Sequence, residues 1–135
     1  MIFNPEESID FHGFTGPFVQ YTYARIKSIL RKVESAVITN STEEESVEKL
    51  EKHLLILLEQ FPVIIKESGE EFNPSRIAIY CFEVAKVFNS FYSEHSIANA
   101  ENEAKQFLRI KLAKLTAQVL KTGMGLLGIN VPERM

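Results

Sequence analysis

The chain has 135 residues, of which 45% are hydrophobic and 24% charged, and its net charge is −3. These values fit one globular domain with a single core, and no apolar run approaches the roughly 20 residues that a membrane-spanning helix needs. The first residues lack the basic and apolar regions of a signal peptide. The single cysteine, Cys81, cannot form an internal disulfide, so we expect a cytoplasmic protein.

Basic charge is concentrated near the beginning and the end of the chain. Residues 21–36 hold four basic side chains and one acidic one, and residues 100–135 hold six basic and three acidic ones. RNA binding requires only a local basic face, because affinity comes from the phosphates neutralised at the site. On charge alone, simple solvation of helix surfaces is the simpler interpretation.

Residues 1–16 are predicted to form an irregular connecting segment, because they contain the turn signal Asn4-Pro5 and two glycines, Gly13 and Gly16. Pro17 suits the first position of a helix, so the helical domain is expected to span 17–135 and its first helix 17–36. Apolar residues at helical spacing give this helix an inward stripe. A polar stripe beside it consists of Tyr21, Arg25, Ser28 and Lys32.

Four more helices are expected from capping signals and apolar periodicity. Thr42 and Glu45 form a capping box, Asn73 and Pro74 suit a helix start, and Gly128 suits a helix end. The predicted spans are 42–60, 62–68, 74–93 and 101–127. The sequence therefore predicts an all-α bundle of four to five helices after a short irregular segment.

No catalytic or metal-binding constellation is apparent in the sequence. The three histidines, His12, His53 and His95, fall in different elements, without zinc-site spacing. Cys81 lies on an apolar helix face and is expected to be a core residue rather than a nucleophile. Gly123 and Gly125 fall inside the last helix, where they are expected to permit close helix packing rather than to cradle phosphate. We predict no catalytic and no metal-binding residue.

Aromatic residues crowd two helix ends. Phe18 and Tyr21 lie at the start of the first helix, and Tyr92 lies at the end of the fourth. Such positions are compatible with core packing and with stacking of unpaired RNA bases. The pattern alone leaves both interpretations open.

Two segments carry a resemblance to a known family. The run from Asp10 to Tyr21, DFHGFTGPFVQY, resembles the pattern D-x-x-G-x-T-G-P-[YF]-[LVI]-Q-Y of the DALR-type anticodon-binding domain of arginyl-tRNA synthetases. Ala24-Arg25 follows, as it does in that family. The C-terminal run from Val131 to Met135, VPERM, is similar to the end of the same enzymes. The two matches have the expected order, and the resemblance covers essentially the whole chain.

The resemblance implies a role for particular residues in binding the anticodon loop. It implies that a loop at residues 10–15, with Gly13 and Phe14, approaches the anticodon, and that three aromatic residues and the C-terminal residue contact bases. Those four residues are Phe18, Tyr21, Tyr92 and Met135. Phe18 stands where the family often has tyrosine, so a phenolic hydrogen bond would be lost there. Arg25 and Lys32 share a stripe with Tyr21 and are candidates for holding phosphates, with simple solvation as the alternative.

The resemblance also implies what lies outside this chain. No class I nucleotide-binding signature occurs here, so ATP with Mg²⁺ and arginine would bind to a missing catalytic domain, and this chain alone is expected to be inactive and to need no cofactor. The implied partners are tRNA(Arg) and that catalytic domain, with no membrane contact and a monomeric state. The alternative is a helical protein-interaction module without an RNA role, which would leave the coexistence of the two motifs unexplained.

Overall fold

The structure is a computed structural model that describes residues 16–34, 49–95, 97 and 103–134. These residues form five helices and no strand: α1 Gly16–Glu34, α2 Lys49–Glu59, α3 Phe61–Glu70, α4 Ser75–Glu94 and α5 Glu103–Leu126. A C-terminal tail, residues 127–134, follows α5. The predicted all-α class is confirmed. The irregular segment before α1, the predicted start of the second helix at Thr42, and Met135 lie outside the described residues.

Helices α4 and α5 form the centre of the bundle. Each packs against the other and against both α1 and α2, and α3 packs mainly on α4. The hydrophobic core lies between these helices. Its fully buried side chains include Val19, Leu54, Val84, Phe88 and Leu120. Burial of these apolar surfaces is the main force that holds the helices together.

The predicted end of the last helix is confirmed in detail. Gly128 has a φ of 77°, which is the left-handed conformation that glycine adopts without a side-chain clash. Its N–H donates to the carbonyl oxygen of Gly125, and the N–H of Ile129 donates to that of Met124. This pair of hydrogen bonds is a Schellman motif, and it turns the tail away from the helix axis.

The start of α4 also follows the prediction. The side-chain oxygen of Asn73 accepts a hydrogen bond from the Ser75 N–H at 3.2 Å, which satisfies one of the unpaired donors of the first turn. Pro74 has a φ of −65°, as its ring requires. The chain is therefore directed into α4 by the two residues that the sequence indicates.

The buried face of α5 is not purely apolar, although apolar periodicity predicts the helix. Leu115 is exposed, whereas Lys105 and Arg109 are buried together with Glu51. The Lys105 ammonium lies 2.9 Å and the Arg109 guanidinium 3.0 Å from the Glu51 carboxylate. Because α5 packs on three helices, its buried arc is wide, and part of that arc is filled by paired charges rather than by apolar side chains.

The two glycines of α5 have different surroundings. A Cβ atom built on Gly123 would lie 2.6 Å from the Cys81 sulfur, so α4 and α5 approach too closely there for any side chain. Gly125 has nothing within 4 Å of the same position. The predicted role in close packing is therefore confirmed for Gly123 and wrong for Gly125, which lies on the exposed side of the helix.

Candidate nucleic-acid interface

A basic groove lies where α1, the end of α4 and the C-terminal tail meet. Its volume is about 450 Å³. We name it the Tyr92 groove, and the described residues that line it are Tyr21, Ala24, Arg25, Ser28, Ile29, Arg31, Lys32, Tyr92 and Arg134. Four of these side chains are cationic and none is acidic. A groove of this kind attracts a polyanion and presents two aromatic rings beside its cations.

Arg25 and Tyr92 form the centre of the groove. The Arg25 guanidinium carbon lies 4.7 Å from the centroid of the Tyr92 ring, a cation–π contact. Arg25 also donates a hydrogen bond of 2.9 Å to the side-chain oxygen of Asn89. The amide nitrogen of Asn89 in turn donates to the Thr22 hydroxyl at 3.0 Å. This chain of contacts fixes the guanidinium in one orientation and leaves further N–H donors for a ligand.

The Tyr92 ring is supported from within α4. It lies parallel to the buried Phe88 ring, with 6.2 Å between centroids and an interplanar angle of 9°. Tyr92 itself is only partly buried. The ring is thus held by the core while part of its surface remains accessible, which is the arrangement that stacking of a splayed base requires.

The tail lies along the outer surface of α1. Gln20 donates a hydrogen bond of 2.8 Å to the carbonyl oxygen of Asn130, and the Arg31 guanidinium contacts the carbonyl oxygen of Glu133 at 3.3 and 3.4 Å. Gln20 and Arg31 are about 16 Å apart along the helix axis. These hydrogen bonds hold the tail against one face of α1, and this course brings Arg134 to the Tyr92 groove.

The polar stripe that the sequence predicts on the first helix forms the α1 wall of the Tyr92 groove. Tyr21 is 53% exposed, and Arg25, Ser28 and Lys32 line the groove with it. The structure also brings Tyr92 from α4 to the same place, as the functional hypothesis requires. Whether these residues contact RNA stays a prediction.

Three of the other predicted residues lie outside the described part of the chain, and one is packed elsewhere. Gly13, Phe14 and Met135 are the three that lie outside the described residues. Phe18 is partly buried and meets the edge of Phe82, with 5.4 Å between ring centroids and an interplanar angle of 67°. It does not line the Tyr92 groove, so its described role is packing of α1 on α4, and its predicted contact with RNA remains untested.

The sequence analysis did not select Arg31, Asn89 or Arg134. Arg31 holds the tail, Asn89 holds Arg25, and Arg134 lines the groove from the tail. Each acts through a contact between residues more than 60 positions apart. The basic character of residues 21–36 and 100–135 was a usable indication for Arg31 and Arg134, but not for Asn89.

The described residues offer little for acid–base or metal chemistry. Burial raises the pKa of the Cys81 thiol to about 12 and raises that of the Tyr80 hydroxyl, which donates a hydrogen bond to the carbonyl oxygen of Leu57. A thiol with such a pKa is not a nucleophile near neutral pH. Within the described ranges, no three His, Cys, Asp or Glu side chains are grouped so that they could hold a metal ion. None of the described helices has the continuous hydrophobic length that a membrane span needs.

Comparisons with known proteins identify the family. Residues 19–135 match the family model of the DALR anticodon binding domain. The chain is 49% identical to an arginine–tRNA ligase of Bacteroides thetaiotaomicron and 46% identical to one of Flavobacterium psychrophilum, in both cases over its whole length. It spans only 23% and 22% of the length of those two relatives.

A solved structure extends the comparison to the fold. Arginyl-tRNA synthetase of Thermus thermophilus superposes with a TM-score of 0.80 at 32% sequence identity, and the match covers 98% of this chain and 23% of that one. The family match extends from α1, which forms one wall of the Tyr92 groove, to the tail that forms its edge. The chain therefore belongs to the DALR anticodon-binding domain family.

Proposed function

We propose that this chain is the anticodon-binding domain of an arginine–tRNA ligase and that it helps the enzyme select tRNA(Arg). The observation that carries the proposal is the convergence of Tyr21, Arg25, Lys32, Tyr92 and Arg134 in one groove. Family membership supplies the class of ligand, and the relatives that the chain matches over its whole length are arginine–tRNA ligases. The charging reaction, with ATP and Mg²⁺, belongs to a catalytic domain outside this chain, and the full protein acts in the cytoplasm.

The groove suits an unpaired loop better than a regular duplex. The rings of Tyr21 and Tyr92 can each stack on an RNA base, in place of the neighbouring base on which it would otherwise stack. Such stacking contributes about 1–3 kcal/mol per base. Arg25, Lys32 and Arg134 surround the rings and neutralise the phosphates of the same nucleotides. Because Arg25 lies over the Tyr92 ring, a base stacks either on the guanidinium plane or on the part of the ring that Arg25 leaves uncovered.

The proposal is tested with the full-length protein that contains this domain. The affinity for a tRNA(Arg) transcript is compared with that for the same transcript with a substituted anticodon. The wild type is expected to prefer the natural anticodon, and Tyr21→Ala is expected to reduce this preference. Tyr21 is well exposed, so its removal leaves the core intact. Ile56→Ala, at a residue that is 45% exposed on α2, is the matched control. Equal binding of both transcripts by the wild type would refute the proposal.

A further inference from the structure

A second basic groove lies between α1 and α5. We name it the Lys114 groove; its volume is about 270 Å³. Its floor is apolar and almost fully buried, and its rim carries Lys27 from α1 and Lys114, Gln118 and Lys121 from α5. Ala117 lies in the floor between the two α5 lysines, and its small side chain leaves the space between them open.

The two grooves lie on opposite sides of the tail. On α1, Lys27 is roughly 140° around the axis from the mean direction of Tyr21, Arg25 and Lys32. Gln20 and Arg31, which hold the tail, fall between these directions. Arg31 also extends the positive charge from one groove toward the other. A single flexible polyanion can therefore follow both grooves by passing over the tail.

The two α5 lysines of the Lys114 groove lie in a stretch of sequence that holds no acidic residue. Between Glu103 and Glu133 the sequence holds five basic residues and no acidic one. Lys105 and Arg109 are buried with Glu51, whereas Lys114 and Lys121 are exposed. In the part of the chain that the structure describes, no ion pair involves Lys27, Lys114 or Lys121. These positive charges repel each other, and a bound anion would relieve the repulsion.

The chemistry of the rim favours phosphate over a base. Tyr23 in the floor is only 1% exposed, so the groove offers no aromatic face on which a base could stack. The rim supplies ammonium groups, which act as point charges toward phosphate without reading a base edge. Lys114 and Lys121 are seven residues apart, about 10 Å along the helix axis, so they would meet different phosphates.

We propose that the Lys114 groove binds the phosphodiester backbone of the RNA whose loop enters the Tyr92 groove. It supplies affinity without selectivity among bases, and it fixes the direction in which the stem leaves the domain. This inference rests on the proposed function. An acidic surface of the enzyme's own catalytic domain is the other class of anionic partner. RNA is favoured because the Tyr92 groove, on the other side of the tail, carries cations together with the exposed ring of Tyr21 and the partly exposed ring of Tyr92.

The test is the double variant Lys114→Gln with Lys121→Gln in the full-length protein. The affinity for a tRNA(Arg) transcript is measured at several salt concentrations. The slope of log affinity against log salt is expected to become flatter by roughly 1.4–1.8, because each phosphate contact contributes about 0.7–0.9. The affinity ratio between the natural and a substituted anticodon is expected to stay the same. Lys52→Gln with Lys66→Gln removes the same charge from exposed positions on α2 and α3 and is expected to leave the slope unchanged.

Three results would overturn the inference while leaving the proposed function intact. An unchanged salt slope means that the lysines contact no phosphate. A reduced anticodon preference means that the groove reads bases. A lower melting temperature of the full-length protein with an unchanged slope means that the groove docks the catalytic domain. If the wild type itself shows no preference for the natural anticodon, the proposed function fails, and that result is obtained before any lysine is changed.

Discussion

The Arg25 guanidinium lies 4.7 Å above the Tyr92 ring, and this contact joins the wall of α1 to the end of α4. Through this contact, Tyr92 helps to position the Arg25 guanidinium, and Arg25 covers part of the Tyr92 ring. Asn89 holds the same guanidinium from α4 at 2.9 Å. An RNA loop in this groove therefore meets an arrangement that already exists in the unbound domain, which lowers the entropic cost of ordering the side chains on binding.

Truncation of Tyr92 is expected to weaken tRNA binding more than it weakens the fold. Tyr92→Ala should raise the Michaelis constant for tRNA in the full-length enzyme by roughly 5–100-fold, equivalent to about 1–3 kcal/mol. Tyr92→Phe should be nearly silent, because it keeps the ring face. The melting temperature is the control, since removing a buried aromatic residue costs about 3–5 kcal/mol. Unfolding of Tyr92→Ala, or unchanged tRNA kinetics, would show that Tyr92 has no stacking role.

The two glycines of α5 should respond oppositely to alanine. Gly123→Ala places a methyl group against the Cys81 sulfur and should lower the free energy of unfolding by about 1–3 kcal/mol, because the two helices must move apart. Gly125→Ala adds a methyl group in open space and should raise it by up to about 1 kcal/mol, since alanine favours the helix. Thermal unfolding of the two variants side by side measures the difference. Equal effects would contradict the close approach at Gly123.

Glu51 should be one of the most sensitive positions in the chain. Glu51→Gln breaks the buried ion pairs of Glu51 with Lys105 and Arg109, and we expect a loss of about 3–5 kcal/mol in the free energy of unfolding. Glu59→Gln, at an exposed position on the same helix, should change it by less than about 0.5 kcal/mol. Denaturant titration measures both variants. A Glu51→Gln variant as stable as the wild type would show that the buried pairs contribute nothing.

Phe72 occupies a backbone position that glycine would suit better. It is 92% exposed and has a φ of 50°. Its N–H donates a hydrogen bond to the carbonyl oxygen of Gly69, and the N–H of Asn73 donates one to the carbonyl oxygen of Ser68. Phe72→Gly should stabilise the fold by up to about 1 kcal/mol, because it removes the left-handed strain, although glycine also loses more freedom on folding. Phe72→Ala keeps the strain and is the control. Equal melting temperatures for the two variants would argue against strain at this position.

The sequence alone determined the class of fold and the main residues of the Tyr92 groove. Helical periodicity and the signals at Asn73, Pro74 and Gly128 act within a few residues, so they could be recognised without tertiary contacts. The stripe of Tyr21, Arg25 and Lys32 is likewise a property of one helix. Tyr92 joined this set as an aromatic residue at the end of the fourth helix, where the family resemblance implies a contact with a base.

The tertiary structure decided which distant residues meet. It joined Arg25 to Tyr92 and Asn89, brought Arg134 to the groove through the tail, and buried Lys105 and Arg109 against Glu51. It also distinguished the packed Phe18 from the exposed Tyr21, although both lie at the start of α1. Each of these outcomes depends on how helices far apart in the chain pack, because burial and pairing are set by neighbours in space and periodicity reports only one face of one helix.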